Sequence, residues 1–87
     1  MGPQFRIIAF EYGSVALWVN RTLQGVVGEL DSWGFTCYLQ WDRVLLPLTG
    51  ECWNPAYECH AWINVVCANR RDAEWSGELA RMVPAAF

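Results

Sequence analysis

The sequence predicts a small α+β domain, in which an antiparallel sheet of about three to five strands carries a central helix and a C-terminal helix on one face. Short segments alternate apolar and polar residues at the period of a strand, and other segments follow a helical period. Gly, Pro, Asn and Asp residues separate these segments. The predicted order is β-(β)-α-β-β-β-α, and residues 1–87 are expected to form a single domain.

The first strand is predicted at residues 4–12, where β-branched and aromatic residues are frequent and after which Gly13 and Ser14 interrupt the pattern. The next segment allows two interpretations. At a helical period, apolar residues recur along one stripe, and one long helix covers 14–33 with Ser14 as its N-cap. At a strand period, residues 15–20 form a hairpin with the first strand, and a shorter helix covers 22–33. The long helix is preferred, and 22–33 is helical in both interpretations.

A β-hairpin is predicted next. Residues 35–41 alternate strictly, so that their apolar side, which includes Trp41, is expected to face the core. Trp33 is expected on the core-facing stripe of the preceding helix. Asp42-Arg43 separates this strand from residues 44–48, and Pro47 predicts that the second strand is short or lies at an edge.

The clearest strand pattern covers residues 57–68, where one side is wholly apolar and the other is mixed. A turn follows, Asp72 is a good N-cap, and residues 73–82 are predicted to form a helix that Pro84 stops. The apolar side of this helix is expected to consist of Trp75, Leu79 and Met82.

Large apolar residues are frequent for so short a chain. The AVILMFWYC set makes up 54% of the sequence, and six of its 87 residues are Trp. A domain of this size buries only about 60% of the surface of its unfolded chain, so part of this set is expected on the surface. Exposed apolar patches mark interfaces. The composition therefore predicts that the chain binds another protein.

The charge excludes some other functions. The six basic residues are all Arg, the acidic residues number nine, and the net charge is −3, which argues against direct nucleic-acid binding. Arg suits protein interfaces because its planar guanidinium donates paired hydrogen bonds and stacks on aromatic rings. No export signal and no membrane-spanning run of about 20 apolar residues is seen, so a cytoplasmic protein without membrane contact is expected.

The four cysteines are expected to be buried thiols that pack as small apolar side chains. A zinc site formed by Cys52, Cys59, His60 and Cys67 is disfavoured, because Cys59 and Cys67 lie about 26 Å apart on a strand and about 12 Å apart on a helix. A disulfide between Cys52 and Cys59 remains geometrically open, although no export signal supports an oxidising compartment. Neither a metal nor a cofactor is therefore predicted.

No catalytic residues are predicted. His60 is the single histidine, and Cys59 beside it would point to the opposite face of a strand. Glu51 and Glu58 are the one suggestive carboxylate pair, and solvated loop charges are the simpler interpretation. None of the common nucleotide-binding, hydrolase or metalloprotease motifs occurs.

The best candidate site is the loop at residues 49–57 together with the mixed face of the strand that follows. Trp53 lies on a loop held by Gly and Pro, as binding anchors often do, although it could instead cover the core as a lid. The predicted contacts to a protein partner are Trp53, Asn54, Tyr57, Glu58, His60, Trp62, Arg70 and Arg71.

These features favour a small non-catalytic inhibitor or adaptor that occludes the surface of a partner protein. Such chains are common among phage and mobile-element products, including antagonists of host defence such as anti-CRISPR proteins, and this extension rests on the class alone. A homo-oligomeric domain that binds a small ligand is the alternative, and a homodimer is compatible with either function. A thiol/His enzyme is the second alternative.

Overall fold

The computed structural model describes residues 5–13, 21–50, 53–54, 57 and 63–84. Within these residues the chain forms four strands and two helices, in an order that confirms the predicted α+β class. The elements are β1 (Ile7–Tyr12), α1 (Leu23–Ser32), β2 (Phe35–Trp41), β3 (Val44–Pro47), β4 (Ile63–Asn69) and α2 (Ala73–Ala80).

The described strands form one antiparallel sheet in the order β1-β4-β2-β3. β4 and β2 therefore lie at the centre, and β1 and β3 lie at the edges. The central strands are apolar on both sides of the pleat, as Val65 and Val66 of β4 illustrate. This pattern is typical of strands that are covered on both faces.

The predicted hairpin of β2 and β3 is confirmed, and its turn has two residues. Asp42 and Arg43 both have positive φ angles, 43° and 70°, as a type I′ turn requires. Pro47 lies on an edge strand, as predicted. Leu48 N–H donates to Cys37 O over 2.9 Å. Because backbone groups alternate along a strand, the backbone nitrogens of Leu45 and Pro47 lie on the outer edge of β3, away from β2.

The outer edge of β3 offers no free backbone donor at these two positions. Leu45 N–H donates to Met82 O just beyond α2, over 3.1 Å, and Pro47 has no N–H. An edge strand without free N–H groups cannot easily pair with a strand of another molecule. The same contact holds the end of α2 against the sheet.

α1 begins at Leu23, so the preferred long helix over 14–33 is wrong and the shorter helix is confirmed. Thr22 has an extended backbone, with φ −112° and ψ 150°, and its Oγ1 accepts the Gly25 N–H over 3.0 Å. An N-cap of this kind starts a helix and has non-helical angles itself. Thr22 therefore takes the role expected of Ser14, and the alternative strand at 15–20 lies outside the described residues.

The two helices lie on opposite faces of the sheet, which corrects the prediction that both pack on one face. α1 buries Leu23, Val27 and Leu30 on the side of the sheet to which Phe35 and Val65 point. On the other side α2 packs against the second apolar face of β2 and β4. This α2-side cluster contains Tyr38, Leu45, Ala68 and Leu79, with Ile7, Val66, Trp75 and Val83 packed around them.

The physical reason is that the second side of the central strands also needs a cover. Tyr38, Val66 and Ala68 occupy alternate positions that the sequence pattern assigns to a mixed, solvent-facing side. In the sheet each is adjacent to another of them, since Tyr38 pairs with Val66. Together they form a continuous apolar surface that would cost hydrophobic free energy if left in water.

Cys37 and Cys67 are joined by a disulfide, which corrects the expectation of free thiols for these two residues. They are direct neighbours in the β2–β4 register, and their Cα atoms lie 4.0 Å apart. Arg70 N–H donates to Gly34 O over 2.8 Å, and alternation from that bond places the cysteines at a non-hydrogen-bonded pair, where side chains approach most closely. Cys52 and Cys59, and the disulfide considered between them, lie outside the described residues.

The last helix is shorter than predicted, and the last strand does not begin at Tyr57. β4 begins at Ile63, and Tyr57 lies in a turn, because its N–H donates to Asn54 O over 2.9 Å. Residues 58–62, predicted as strand, lie outside the described residues. Asp72 caps α2 as predicted, by accepting the Trp75 N–H over 3.0 Å. α2 ends at Ala80, so Met82 lies beyond the helix and is 46% exposed.

The start of α1 can be tested by substitutions whose effects differ in sign. Thr22→Ala should lower the free energy of unfolding by about 1 kcal/mol, because an N-cap is lost. In the interior of a longer helix the same change would instead stabilise, since Ala has the higher helix propensity. Thermal denaturation monitored by circular dichroism measures this.

Gly28→Ala is the matched control, since an added Cβ meets no atom within 4 Å. It lies inside α1 and should stabilise by about 0.5–1 kcal/mol. A stabilising effect of Thr22→Ala would contradict the observed helix start.

Candidate functional site

Trp33 and Trp41 are exposed, which corrects the expectation that both face the core. Their side chains are 52% and 60% exposed. Trp33 is the C-cap of α1 and lies just past Leu30, the last buried residue of the helix. Trp41 is the last residue of β2, and the two-residue turn of Asp42 and Arg43 follows it directly. Both therefore lie where the regular element ends, although their positions in the apolar pattern predict burial.

The backbone around Trp33 is held by several hydrogen bonds. Trp33 N–H donates to Glu29 O and Leu30 O, over 3.2 and 3.1 Å. Gly34 follows with a φ of 95°, a conformation that favours glycine and ends the helix. The exposed indole is thus presented from a rigid chain reversal.

Arg70 fastens the same chain reversal to the sheet. Its Nη1 donates to Phe35 O over 2.7 Å and to Thr36 Oγ1 over 3.1 Å. Its Nη2 donates to the carbonyl and carboxylate oxygens of Asp31, over 2.6 and 2.9 Å. Arg70 therefore ties the end of α1 to the start of β2 and fixes the backbone on either side of Trp33. The sequence predicted it as a contact to a partner, and the structure places it beside an exposed tryptophan.

Trp41 lies at the opposite end of β2. It pairs with Val44 across the hairpin, and the type I′ turn of Asp42 and Arg43 follows directly. Both turn residues are exposed, and Arg43 has no side-chain partner among the described residues. This end also combines an exposed tryptophan with an arginine on a rigid turn.

A third exposed aromatic residue, Phe5, lies near the start of β1 and is 65% exposed. Asn69 Nδ2 donates to Phe5 O over 3.0 Å, which holds this segment against the end of β4. Arg6 pairs with Asp72, and its Nη2 donates to Glu74 Oε1 over 2.8 Å. These pairs place Phe5 at the same end of the sheet as Arg70 and the adjacent Arg71.

Ion pairing at this end of the sheet shifts the pKa values of two side chains, Arg6 and Asp72. The hydrogen bond from Arg6 holds the pKa of Asp72 below its usual value, and the backbone N–H of Trp75 acts in the same direction. Hydrogen bonds to Asp72 and Glu74 raise the pKa of Arg6. Arg71 has no side-chain partner among the described residues, and it lines a shallow surface cleft with Phe5 and Asp72.

In the predicted loop site, Trp53 and Tyr57 pack against the core, unlike the exposed Trp33 and Trp41. Trp53 and Tyr57 pack against the α1-side core and meet edge to face, with ring centroids 5.7 Å apart. Trp53 also lines a small cavity between α1 and Leu48. The structure thus shows the geometry of a lid, which the sequence left open beside a binding role. Asn54 is exposed, and the remaining predicted contacts, Glu58, His60 and Trp62, lie outside the described residues.

An open groove of about 490 Å³ lies on the α2 side of the sheet. Its floor includes Ala9 and Val66, and its wall is formed by Leu79 and Met82. A row of exposed polar residues, one from each of three adjacent strands, lies at its end. The members of this row are Glu11, Asn64 and Gln40, which are paired in the register.

The comparisons with known proteins give no relative. No protein-family model, no curated protein and no solved structure matches the chain. Within the described residues no group of three or more His, Cys, Asp or Glu side chains could hold a metal ion. No helix in that part of the chain is long and apolar enough to cross a membrane.

The lid geometry of Trp53 predicts a cost in stability. Trp53→Ala should lower the free energy of unfolding by about 1–3 kcal/mol, because it removes contacts to the α1-side core and to Tyr57. Thermal or urea denaturation measures the loss. Trp41→Ala, the same substitution at a side chain that is 60% exposed, is the control and should change stability by less than about 1 kcal/mol. Equal stability of the two variants would show that Trp53 is not a lid.

The pair of Arg6 and Asp72 predicts a pH dependence. Asp72→Asn retains an N-cap, since Asn also caps well, and removes the charge. Because the folded pKa of Asp72 is lowered, its carboxylate stabilises the fold above the unfolded pKa of about 3.9, and this contribution is lost as the pH falls through the folded pKa. The melting temperature of the wild type should therefore exceed that of the variant at pH 7. The difference should shrink below about pH 4, and a difference that persists at pH 2 would contradict this role.

Proposed function

We propose that the chain is a non-catalytic protein-binding protein, which acts as an inhibitor or adaptor by occluding the surface of a partner. The observation that carries this proposal is the exposure of Trp33 and Trp41 on rigid chain reversals. Trp is among the residue types most enriched at binding hot spots, and a small domain without a partner gains nothing from exposing it.

Each exposed tryptophan has arginine nearby. Arg70 and Arg71 follow β4 next to the chain reversal of Trp33, and Arg43 is two residues beyond Trp41. Arg is also enriched at hot spots, because its guanidinium stacks on aromatic rings and donates paired hydrogen bonds to carboxylates. The two ends of β2 therefore each combine an apolar anchor with a cation.

Rigidity supports the same function. The backbone of Trp33 is fixed by the helix C-cap and by Arg70, and that of Trp41 by strand pairing and a type I′ turn. An anchor that is already ordered loses little conformational entropy when it binds. Such positions give affinity more readily than a side chain on a mobile loop.

The distance between the anchors fits a standard interface. Six residue steps separate Phe35 from Trp41, which corresponds to about 20 Å along the strand. A typical interface buries about 800 Å² on each partner, a patch about 30 Å across. One partner surface is therefore large enough to contact both ends of β2.

The class of protein narrows the proposal further. Small acidic chains with surplus aromatic residues include phage-encoded and mobile-element antagonists of host defence, anti-CRISPR proteins among them. We extend the proposal to this group of inhibitors on the basis of class alone.

Substitution of the two tryptophans tests the proposal. Trp33→Ala and Trp41→Ala should each change the free energy of unfolding by less than about 1 kcal/mol, because both side chains are more than half exposed. Each should weaken binding by about 30-fold, which corresponds to the loss of about 2 kcal/mol at a hot spot. Proteins captured from host lysate by the wild type are identified by mass spectrometry, and the affinity of the purified partner is then titrated.

Gly28→Ala is the control, since Gly28 is exposed inside α1 and an added Cβ meets no atom within 4 Å. It should leave binding unchanged and should not lower stability. Capture of the same proteins with the same affinity by all three variants would exclude Trp33 and Trp41 as anchors. A melting temperature lowered by more than about 10 °C would assign them to the core instead.

A further inference from the structure

We propose that Cys37 and Cys67 form a redox-dependent lock that sets the stability of the sheet. In the oxidised state the disulfide locks β2 to β4, and in the reduced state the two thiols release this lock. The inference is independent of the proposed binding function, because it concerns the central strands and not the exposed tryptophans.

The position of the bond gives it this control. β2 and β4 are the two central strands, and each of the other two described strands pairs with one of them. The backbone of Cys37 bonds to the β3 side, where its N–H donates to Thr49 Oγ1 over 2.8 Å and its O accepts from Leu48. At this row of the sheet the disulfide is therefore the direct link from β2 to β4.

The length of the chain segment that the disulfide closes determines how much the bond stabilises the folded state. Cys37 and Cys67 are 30 residues apart in sequence. The closed loop contains the rest of β2, all of β3 and the segment that carries Trp53 and Tyr57. A disulfide across such a loop reduces the freedom of the unfolded chain, which stabilises the folded state. A domain of 87 residues has a narrow margin of stability, so this contribution is a large share of the total.

Burial of the two sulfur atoms determines when the disulfide can exchange with small thiols. Both cysteines are 0% exposed in the α1-side core, among Leu39, Val65 and Phe35. A small thiol or disulfide reaches either sulfur only when the sheet opens, because exchange requires attack on an accessible sulfur. The bond is therefore made during folding or local opening and is protected afterwards.

The reduced state also fits the core. Two thiols pack as small apolar side chains and bring no charge into it. Reduction thus removes the lock without inserting a polar group, so the fold exists in both states with different stabilities.

The exchange step balances as a dithiol–disulfide reaction. Cys37 Sγ–H and Cys67 Sγ–H react with a small-molecule disulfide through a mixed disulfide. The protein disulfide forms, the small disulfide is cleaved, and two small thiols leave with the two electrons and two protons. The reverse reaction uses a small dithiol, which becomes a cyclic disulfide.

The first experiment measures the lock. The protein is unfolded in urea with or without dithiothreitol, refolded in the same redox condition, and its melting temperature is then measured. Alkylation followed by mass spectrometry of the peptides that contain Cys37 and Cys67 confirms whether the disulfide is present. Reduction should lower the melting temperature by about 15–25 °C, as expected from a closed loop of this length in a domain of this size. The double variant Cys37→Ala/Cys67→Ala should melt near the reduced wild type and should not respond to dithiothreitol. It retains Cys52 and Cys59, so a response of this variant would assign the effect to those cysteines and overturn the proposal.

The second experiment measures protection and needs only the wild type. Dithiothreitol should cleave the Cys37–Cys67 bond at least about 100-fold more slowly in the folded protein than in urea, because cleavage awaits opening. Equal rates would overturn the buried lock. A shift of less than about 3 °C on reduction would show that the bond does not set stability and would also overturn the proposal.

Discussion

The structure depends on the apolar character of both faces of β2 and β4. A sheet whose central strands are apolar on both sides must be covered twice, and the described residues supply one helix for each face. α1 packs over the face of Phe35, Cys37 and Leu39, whereas α2 packs over the face of Tyr38 and Ala68. The placement of both helices follows from this requirement.

α2 covers only part of its face of the sheet, and polar residues lie on the part that it leaves uncovered. α2 has eight residues and spans about 11 Å, whereas β4 has seven residues and spans about 20 Å beneath it. The part of this face beyond α2 carries the row of Glu11, Asn64 and Gln40 and forms the α2-side groove. Polar residues thus occupy the positions that a short helix leaves open. A longer α2 would have to bury them at a cost in desolvation.

Much of the fold could be predicted because local patterns decide it. The strand alternation of residues 35–41, the Asp42-Arg43 turn and the Asp72 cap are all local signals, and all are observed. The disulfide and the opposite placement of the helices could not be predicted, because both depend on the pairing of β2 with β4. That register places Cys37 opposite Cys67 and Tyr38 opposite Val66, and nothing within either segment alone specifies it.

The exposure of the two tryptophans was harder to predict, because a periodic apolar pattern does not show where a helix or strand stops packing against the core. Trp33 and Trp41 continue the apolar stripes of α1 and β2, and both are exposed because each stands at the end of its element. The signal that could have identified them is the neighbouring chain reversal, Gly34 after Trp33 and Asp42-Arg43 after Trp41. No described tryptophan is among the fully buried side chains, which include Tyr12, Phe35 and Leu23. The core is thus built from smaller residues.

The two arginines that follow β4 divide the tasks of positioning and recognition. Four hydrogen bonds to Phe35, Thr36 and Asp31 occupy both terminal nitrogens of Arg70. Its guanidinium cannot form a bidentate pair with a carboxylate of a partner unless these bonds break, so its contribution there is to hold the chain reversal. Arg71 makes no such bonds within the described residues, and its donors remain available to a carboxylate at the cleft that it lines with Phe5. An exposed ring on a braced turn, with an uncommitted cation at the same end of the sheet, is suited to a partner surface that combines an apolar pocket with an acidic rim.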